Sequence, residues 1–287
     1  MRKWMAVLLA LTLVLSLSAC KKKGTESSSE ESKSPAPVEN EETAEPAPKL
    51  EPAKPVTVNA QVEEDRIPGG EYYLPEELTP MNVWLSEGSI ALLAQQDDVS
   101  FYGVEGKEST PALFCWGESQ AEFDWWYVTP RAIEPELWVY DIDEDGAVET
   151  VIDCYAGSGT GVSLEYIYVV EKNEYDELTS YCLPWEDLCD GINAQLQLLT
   201  MNGGTYAVLG REMLDISAEV GESDTEKMNA AVGYIAHYER GEQGLDCTFG
   251  VIAEGGEAPL LYVGLVEGTL HYKDGVYTLD NLHLRGY

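Results

Sequence analysis

Between Ile90 and Glu171 the chain alternates short apolar runs with Asp, Gly and Pro punctuation, a rhythm of strands rather than helices. The segments Ile90–Ala94, Val99–Val104, Ala112–Trp116, Glu122–Val128, Leu137–Tyr140, Val148–Tyr155 and Ser163–Glu171 all read this way. The period then changes. Trp185, Leu188, Cys189, Ile192, Leu196 and Leu199 fall on one helical face, which predicts an amphipathic helix over about 184–199. Pro184 suits its first turn, while Gly191 within it costs about 1 kcal/mol relative to alanine. A weaker helical pattern runs from Asp224 to Ala231. Strands return at Leu245–Ile252, from Leu260 to Thr269 or Lys273, and at Val276–Leu284, with Asp274-Gly275 as a two-residue hairpin turn. The expected class is α+β: mostly antiparallel β-strands, one amphipathic helix and a C-terminal β-hairpin.

The first twenty residues follow neither rhythm. Arg2 and Lys3 precede an apolar run from Trp4 to Leu15, interrupted only by Thr12, which leads into Leu17-Ser18-Ala19-Cys20. This layout is that of a secretory signal peptide, too short for a membrane span. A cysteine set directly behind small residues resembles the lipobox of bacterial lipoproteins. The resemblance implies that Cys20 is acylated and becomes the first residue of the mature chain, anchored by lipid to the outer side of the bacterial cell membrane. An ordinary signal peptide with an incidental cysteine is the alternative. Residues 21–66 are rich in Pro, Glu, Ser, Lys and Ala and lack aromatics, the composition of a disordered stalk. Lys21, Lys22 and Lys23 would sit beside anionic headgroups. The body beyond divides into a β-rich region over 67–200 and a C-terminal α+β region over 201–287.

Charge narrows the partners. Of 52 acidic residues, 41 lie between Ile67 and Tyr287 against 8 basic ones, a net charge of −33. Nucleic acid is excluded as a partner by this balance. Two readings of the charge stay open, generic solubility outside the cell and affinity for cations or a basic partner. Beyond Cys20 there are five cysteines and no CxxC pair, so zinc ribbons and thioredoxin-like motifs lack support. Cys182 and Cys189 either pair across Pro184 or stay, like the others, as buried thiols.

One segment carries recognisable chemistry. Asp141-Ile142-Asp143-Glu144-Asp145-Gly146-Ala147-Val148-Glu149 sets carboxylates at positions 1, 3, 5 and 9, with glycine at position 6 for a sharp bend. Calcium takes six to eight oxygens in a flexible shell, and odd-position carboxylates in a tight loop converge on one. The expected ligands are Asp141, Asp143, Asp145, the Ala147 carbonyl and Glu149, in a structural rather than catalytic site. An acidic surface turn that binds nothing tightly is the competing reading. Position 12 is Ile152 and both flanks read as strands, so the loop is no EF-hand. The spacing resembles the calcium loop between strands in FG-GAP and VCBS-type repeats, with Glu144 in place of the glycine often found at position 4. Thr129-Pro130-Arg131, Pro135-Glu136-Leu137, the acidic loop and Gly157-Ser158-Gly159-Thr160-Gly161-Val162-Ser163 recur in that order. So arranged, the chain resembles a group of uncharacterised lipoproteins of anaerobic Gram-positive bacteria that carry a VCBS-like loop. That group brings no activity with it.

Other signals carry less. The glycine-rich run from Gly157 lacks the Walker lysine and a following helix, so it reads as a connection between strands. With Asp274-Gly275 as the turn, His271 faces Thr278 and His283 faces Val266, too far apart to share a metal. No Gly-x-Ser-x-Gly elbow is present. Trp125 and Trp126 would point to opposite faces of a strand, one into the core and one outward. The function these features favour is a tethered, non-enzymatic binding or interaction module for an unknown protein, peptide or glycan. The alternative is an extracytoplasmic hydrolase acting on cell-wall or other polymers. Two converging carboxylates in a polar cleft would favour the latter.

Overall fold

The computed structural model describes residues 49–64, 72–80, 86, 88–105, 111–127, 133–221, 227–255 and 261–287. Cys20, the signal segment and the stalk up to residue 48 lie outside them. Residues Pro48–Tyr287 form one compact unit. In chain order its strands are β1 (Val56–Asn59), β2 (Gln61–Glu64), β3 (Ile90–Gln96), β4 (Val99–Val104), β5 (Ala112–Trp116), β6 (Ser119–Phe123), β7 (Glu136–Tyr140), β8 (Glu149–Gly159), β9 (Val162–Lys172) and β10 (Leu178–Cys182). Helix α1 (Trp185–Asn193) precedes β11 (Leu196–Met201), β12 (Gly204–Leu209) and β13 (Glu212–Asp215). After the single turn α2 (Ser217–Val220) come β14 (Met228–Arg240), β15 (Leu245–Gly255), β16 (Leu261–Lys273) and β17 (Val276–Arg285).

Strands account for 62% of the described residues and helices for 7%. The expected α+β class is therefore wrong: the body is mostly β, built on a large mixed sheet. The helix expected over about 184–199 stops at Asn193, and Leu196 and Leu199 belong to β11. Leu196 fits both periods, and the strand wins because a partner is at hand. Asn202 (φ 51°) and Gly203 (φ 77°) make a two-residue turn with positive φ at both positions, folding β12 back on β11 from Leu196↔Leu209 to Met201↔Gly204. The second helical pattern fails for the same reason. Met228, Ala230 and Val232 are buried alternately, the period of a strand, and pair with β15; residues 224–226 lie outside the described set.

The large sheet has two antiparallel halves. One runs β1-β17-β16-β15-β14, the other β7-β8-β9-β10-β2, and a parallel contact at Ile235↔Ser163 joins β14 to β9. At the centre of the second half, β8 and β9 are buried on both faces, because alternate residues serve different cores. Val151, Ile167 and Val169 pack with β14–β17 and α1, whereas Ile152, Cys154, Tyr168 and Val170 pack against the separate sheet β3-β4-β5-β6. That is why adjacent residues such as Val151 and Ile152 on β8, and Ile167 to Val170 on β9, are all apolar and all buried. The C-terminal hairpin forms as expected, with Lys273↔Val276 and His271↔Thr278. A bulge between Glu267 and Thr269 then slips the register, so His283 faces Glu267 rather than Val266.

β1 and β2 arise inside the segment read as stalk. Val56 and Val58 alternate with polar residues, Val56 is buried, and β1 closes the edge of β17 from Val56↔Leu279 to Asn59↔Val276. The preceding residues are clamped too. Gln195, just past α1, accepts the Lys54 N–H at 2.6 Å and donates to the Lys54 carbonyl at 3.0 Å. All five cysteines of the described body are free thiols, including Cys182 and Cys189. No described helix is long and apolar enough to cross a membrane.

Candidate metal centre

The acidic segment is the connection of the β7–β8 hairpin. Tyr140↔Glu149 is its last ladder rung, and residues 141–148 form the loop. Ile142 is buried and ties the loop to the core, while Asp145, Gly146 and Ala147 stay exposed. Carboxylates near their own backbone hold the turn together. Asp141 accepts the Asp145 N–H through Oδ1 at 3.1 Å and the Gly146 N–H through Oδ2 at 3.0 Å. Asp143 Oδ1 accepts the Asp145 N–H at 3.0 Å, and Asp145 Oδ1 the Ala147 N–H at 2.7 Å. Glu149 Oε2 reaches across the loop to the Ile142 N–H at 3.0 Å. Gly146 has φ 96°, a conformation that side chains avoid, and Glu144 sits at φ 61°. The left-handed geometry at position 4 is thus kept without glycine, at a local cost.

Asp141, Asp143 and Glu149 each offer an oxygen, and the three lie within 4.8 Å of one another. This acidic group could hold a metal ion. Asp145, in the same turn, is not a member of it, and its Oδ1 is occupied by the Ala147 N–H. Glu149 is only 4% exposed. Its carboxyl is held up at about 7: burial raises it most, the Ile142 N–H pulls it back, and the charges of Asp143, Asp145 and Asp141 raise it in turn. A buried carboxylate facing three others has no counter-charge in the loop itself. Oxygen donors of this kind suit a hard cation.

The remaining signals fall as follows. Each histidine meets its own carboxylate: His237 with Glu165 at 2.9 Å, His271 with Asp280 at 3.2 Å and His283 with Glu212 at 2.9 Å. The glycine-rich run is the β8–β9 turn, with no helix after it. Trp125 is buried and its indole donates to Ser180 Oγ at 2.8 Å, whereas Trp126 is 64% exposed. Both lie beyond β6 rather than within a strand. A second carboxylate group, Asp153 with Glu165 and Glu136, lines a cavity of about 170 Å³. Its one linear signal is Asp153 itself, an acid inside an apolar run.

Comparison with protein-family models, with curated proteins and with solved structures finds no match to this chain.

Proposed function

We propose that the chain is a membrane-tethered extracytoplasmic lipoprotein whose β body is a non-enzymatic binding or interaction module, with calcium held in the β7–β8 loop as a structural staple. The observation that carries the calcium reading is the convergence of Asp141, Asp143 and Glu149 on the last rung of a hairpin. A cation there would join the loop's start to the first residue of β8, a strand buried on both faces. The tether rests on Leu17-Ser18-Ala19-Cys20, and Cys20→Ala should release the body from membranes or block processing. The hydrolase alternative rests on two acid-lined hollows. The one with Asp153 and Glu165, at about 170 Å³, is smaller than the ~300–1,000 Å³ of ordinary ligand sites; the other, of about 540 Å³, gathers Glu239, Asp246 and Glu267 with His237 and His283.

Thermal unfolding tests the calcium reading. Calcium at a few times its dissociation constant adds roughly 1 kcal/mol, so millimolar calcium should raise the melting temperature of the parent. The acidic body also offers diffuse cation sites, so the comparison that decides is with Asp143→Ala. An equal shift in both proteins reduces the loop to an acidic turn.

A further inference from the structure

Two hollows adjoin on β14–β17. One, of about 540 Å³, crosses all four strands. The other, of about 400 Å³, lies between β17, the β12–β13 turn and residues 52–55. Asn281 and His283 line both. Strand pairing fixes the order of side chains across the first. Glu239 stands opposite Asp246, Asp246 opposite Thr269, and Thr269 opposite Asp280. His237, Thr248, Glu267 and His283 form the next row. The Val56↔Leu279 pair then brings the residues before β1 beside Asp280.

Most charges along this groove already have partners. His237 meets Glu165 at 2.9 Å, and Arg285 meets Glu267 at 2.6 Å. His283 Nδ1 engages Glu212 Oε1, while Glu212 Oε2 accepts the Leu284 N–H. Asp280 Oδ1 is shared by His271 and the Asn281 amide. Four lining side chains have no ion pair or hydrogen bond among the described residues, and they divide by sign: Glu239 and Asp246 at the β14–β15 end, Arg211 and Lys54 at the other. Like charges directly opposite each other cost stability, yet Arg240 beside them stacks on Tyr140 instead, at 4.3 Å. Arg211 is one of only 8 basic residues between Ile67 and Tyr287. The basic end is also held in place. Gln195 grips both the N–H and the carbonyl of Lys54, and a Cβ on Gly210 would lie 2.2 Å from the Ala53 nitrogen.

We propose that this groove binds a short linear peptide with both ends free, its amino terminus at Glu239 and Asp246 and its carboxylate at Arg211 and Lys54. The proposal rests on reading the body as a binding module and names the ligand class. Opposite charges at the two ends select a zwitterion, and their separation selects its length. From β14 to β1 there are four interstrand steps of about 4.8 Å, roughly 19 Å, which an extended chain of five or six residues spans. An ammonium brings three donors to the facing carboxylates. Arg211 offers a terminal carboxylate its planar fork. Between the ends, Thr248, Thr269 and Asn281 supply hydrogen-bonding groups for the peptide backbone. A polyanion would meet Glu239 and Asp246, and a polycation would meet Arg211; a single amino acid cannot reach both ends.

Calorimetric titration of the whole purified chain tests this with the pentapeptide Ala-Ser-Ala-Ser-Ala, its N-acetylated and C-amidated forms, and the dipeptide Ala-Ser. One saturable site is expected for the free-ended pentapeptide, weakened tenfold or more by either cap and by shortening. Asp246→Asn should erase the cost of acetylation and keep that of amidation; Arg211→Gln should do the reverse. Both residues are exposed, and Asp246→Asn relieves a repulsion, so it should melt no lower than the parent. No saturable binding of the free-ended pentapeptide overturns the proposal. Binding whose end preferences survive both substitutions overturns the groove while supporting the binding-module reading. Binding as expected, with the peptide recovered cleaved, supports the groove and overturns the non-enzymatic reading. Sedimentation checks the other occupant: a dimer that Arg211→Gln breaks puts a second copy in the groove and overturns the peptide.

Discussion

Gly191→Ala is where helix propensity and tertiary packing give opposite answers. Gly191 lies inside α1, and alanine there should gain about 1 kcal/mol on helix propensity. The structure places Val56 of β1 against this glycine. A Cβ on residue 191 would lie 2.3 Å from Val56 Cγ1 and 3.2 Å from Cγ2, where carbon atoms attract best at about 3.5–4.0 Å. Val56 is buried, held in the ladder by Leu279 and restricted at χ1 by its branching, so it cannot turn away cheaply. Overpacking of this sort costs about 1–3 kcal/mol. An approach of 2.3 Å puts the cost toward the upper end of that range, so after the helix gain a net loss of about 1–2 kcal/mol is expected. For a body of this size that lowers the melting temperature by roughly 2–8 °C. The assay is thermal or denaturant unfolding of the parent, Gly191→Ala, Val56→Ala and the double variant. Val56→Ala vacates the space that the new methyl needs, so the cycle should show coupling of at least ~1 kcal/mol. A Gly191→Ala protein that melts at or above the parent refutes the reasoning, as does an additive double variant.

Two further outcomes follow from buried polar groups. Below about pH 4 Asp153 is protonated whether folded or not; as pH rises, the unfolded chain ionises first while the native carboxyl keeps its proton. Native stability should therefore fall with rising pH, by at most ~1.4 kcal/mol per unit, until the native carboxyl itself ionises. Denaturant titrations from about pH 5 to 8 should give a shallower fall for Asp153→Asn than for the parent; parallel curves would count against a raised Asp153. Ser180 is fully buried and accepts the Trp125 indole N–H, so Ser180→Ala should cost about 1–3 kcal/mol by orphaning that donor. Denaturant unfolding should show this loss shrinking when Trp125→Phe is already present, and an unchanged loss would sink the pairing.

Local turn chemistry is the part of the fold that linear sequence exposes well. Val99–Val104, Ala112–Trp116 and the Asp274-Gly275 hairpin form at the expected places, since each is defined by residues only a few positions apart. Asn202-Gly203 carries the same kind of signal, and it outweighs the helical spacing of Leu196 and Leu199. A helical face of six positions is a statement about side chains, and it says nothing of the strand waiting to pair with the backbone. β1 was hidden for a different reason. Val56 and Val58 are too few to bury a surface alone, and they become a strand because β17 offers an open edge and Gly191 a gap. Bulges were equally invisible. The slip between Glu267 and Thr269 moves His283 by one partner, although nothing in the hairpin's turn foretells it.

The two carboxylate groups differ in legibility because they differ in contact order. Asp141, Asp143 and Glu149 lie within nine residues, so their spacing alone suggested a common centre, and a single hairpin suffices to assemble it. Glu136, Asp153, Glu165 and His237 come from four strands and more than a hundred residues of chain. The β7–β8–β9 ladder gathers the three acids, and the meeting of the half-sheets at Ile235↔Ser163 brings His237 to the same cavity. In a chain with 41 acids in its body, no linear pattern could have selected those four. Burial singles out Asp153 instead. Surface carboxylates of such a chain need no partner beyond water, but Asp153 has given up that water without gaining a hydrogen bond at Oδ1. The desolvation cost falls on the native state, where it holds the Asp153 carboxyl in its protonated form. A net charge of −33 keeps the body soluble wherever the acids are placed; solubility cannot account for an acid placed where solvent does not reach.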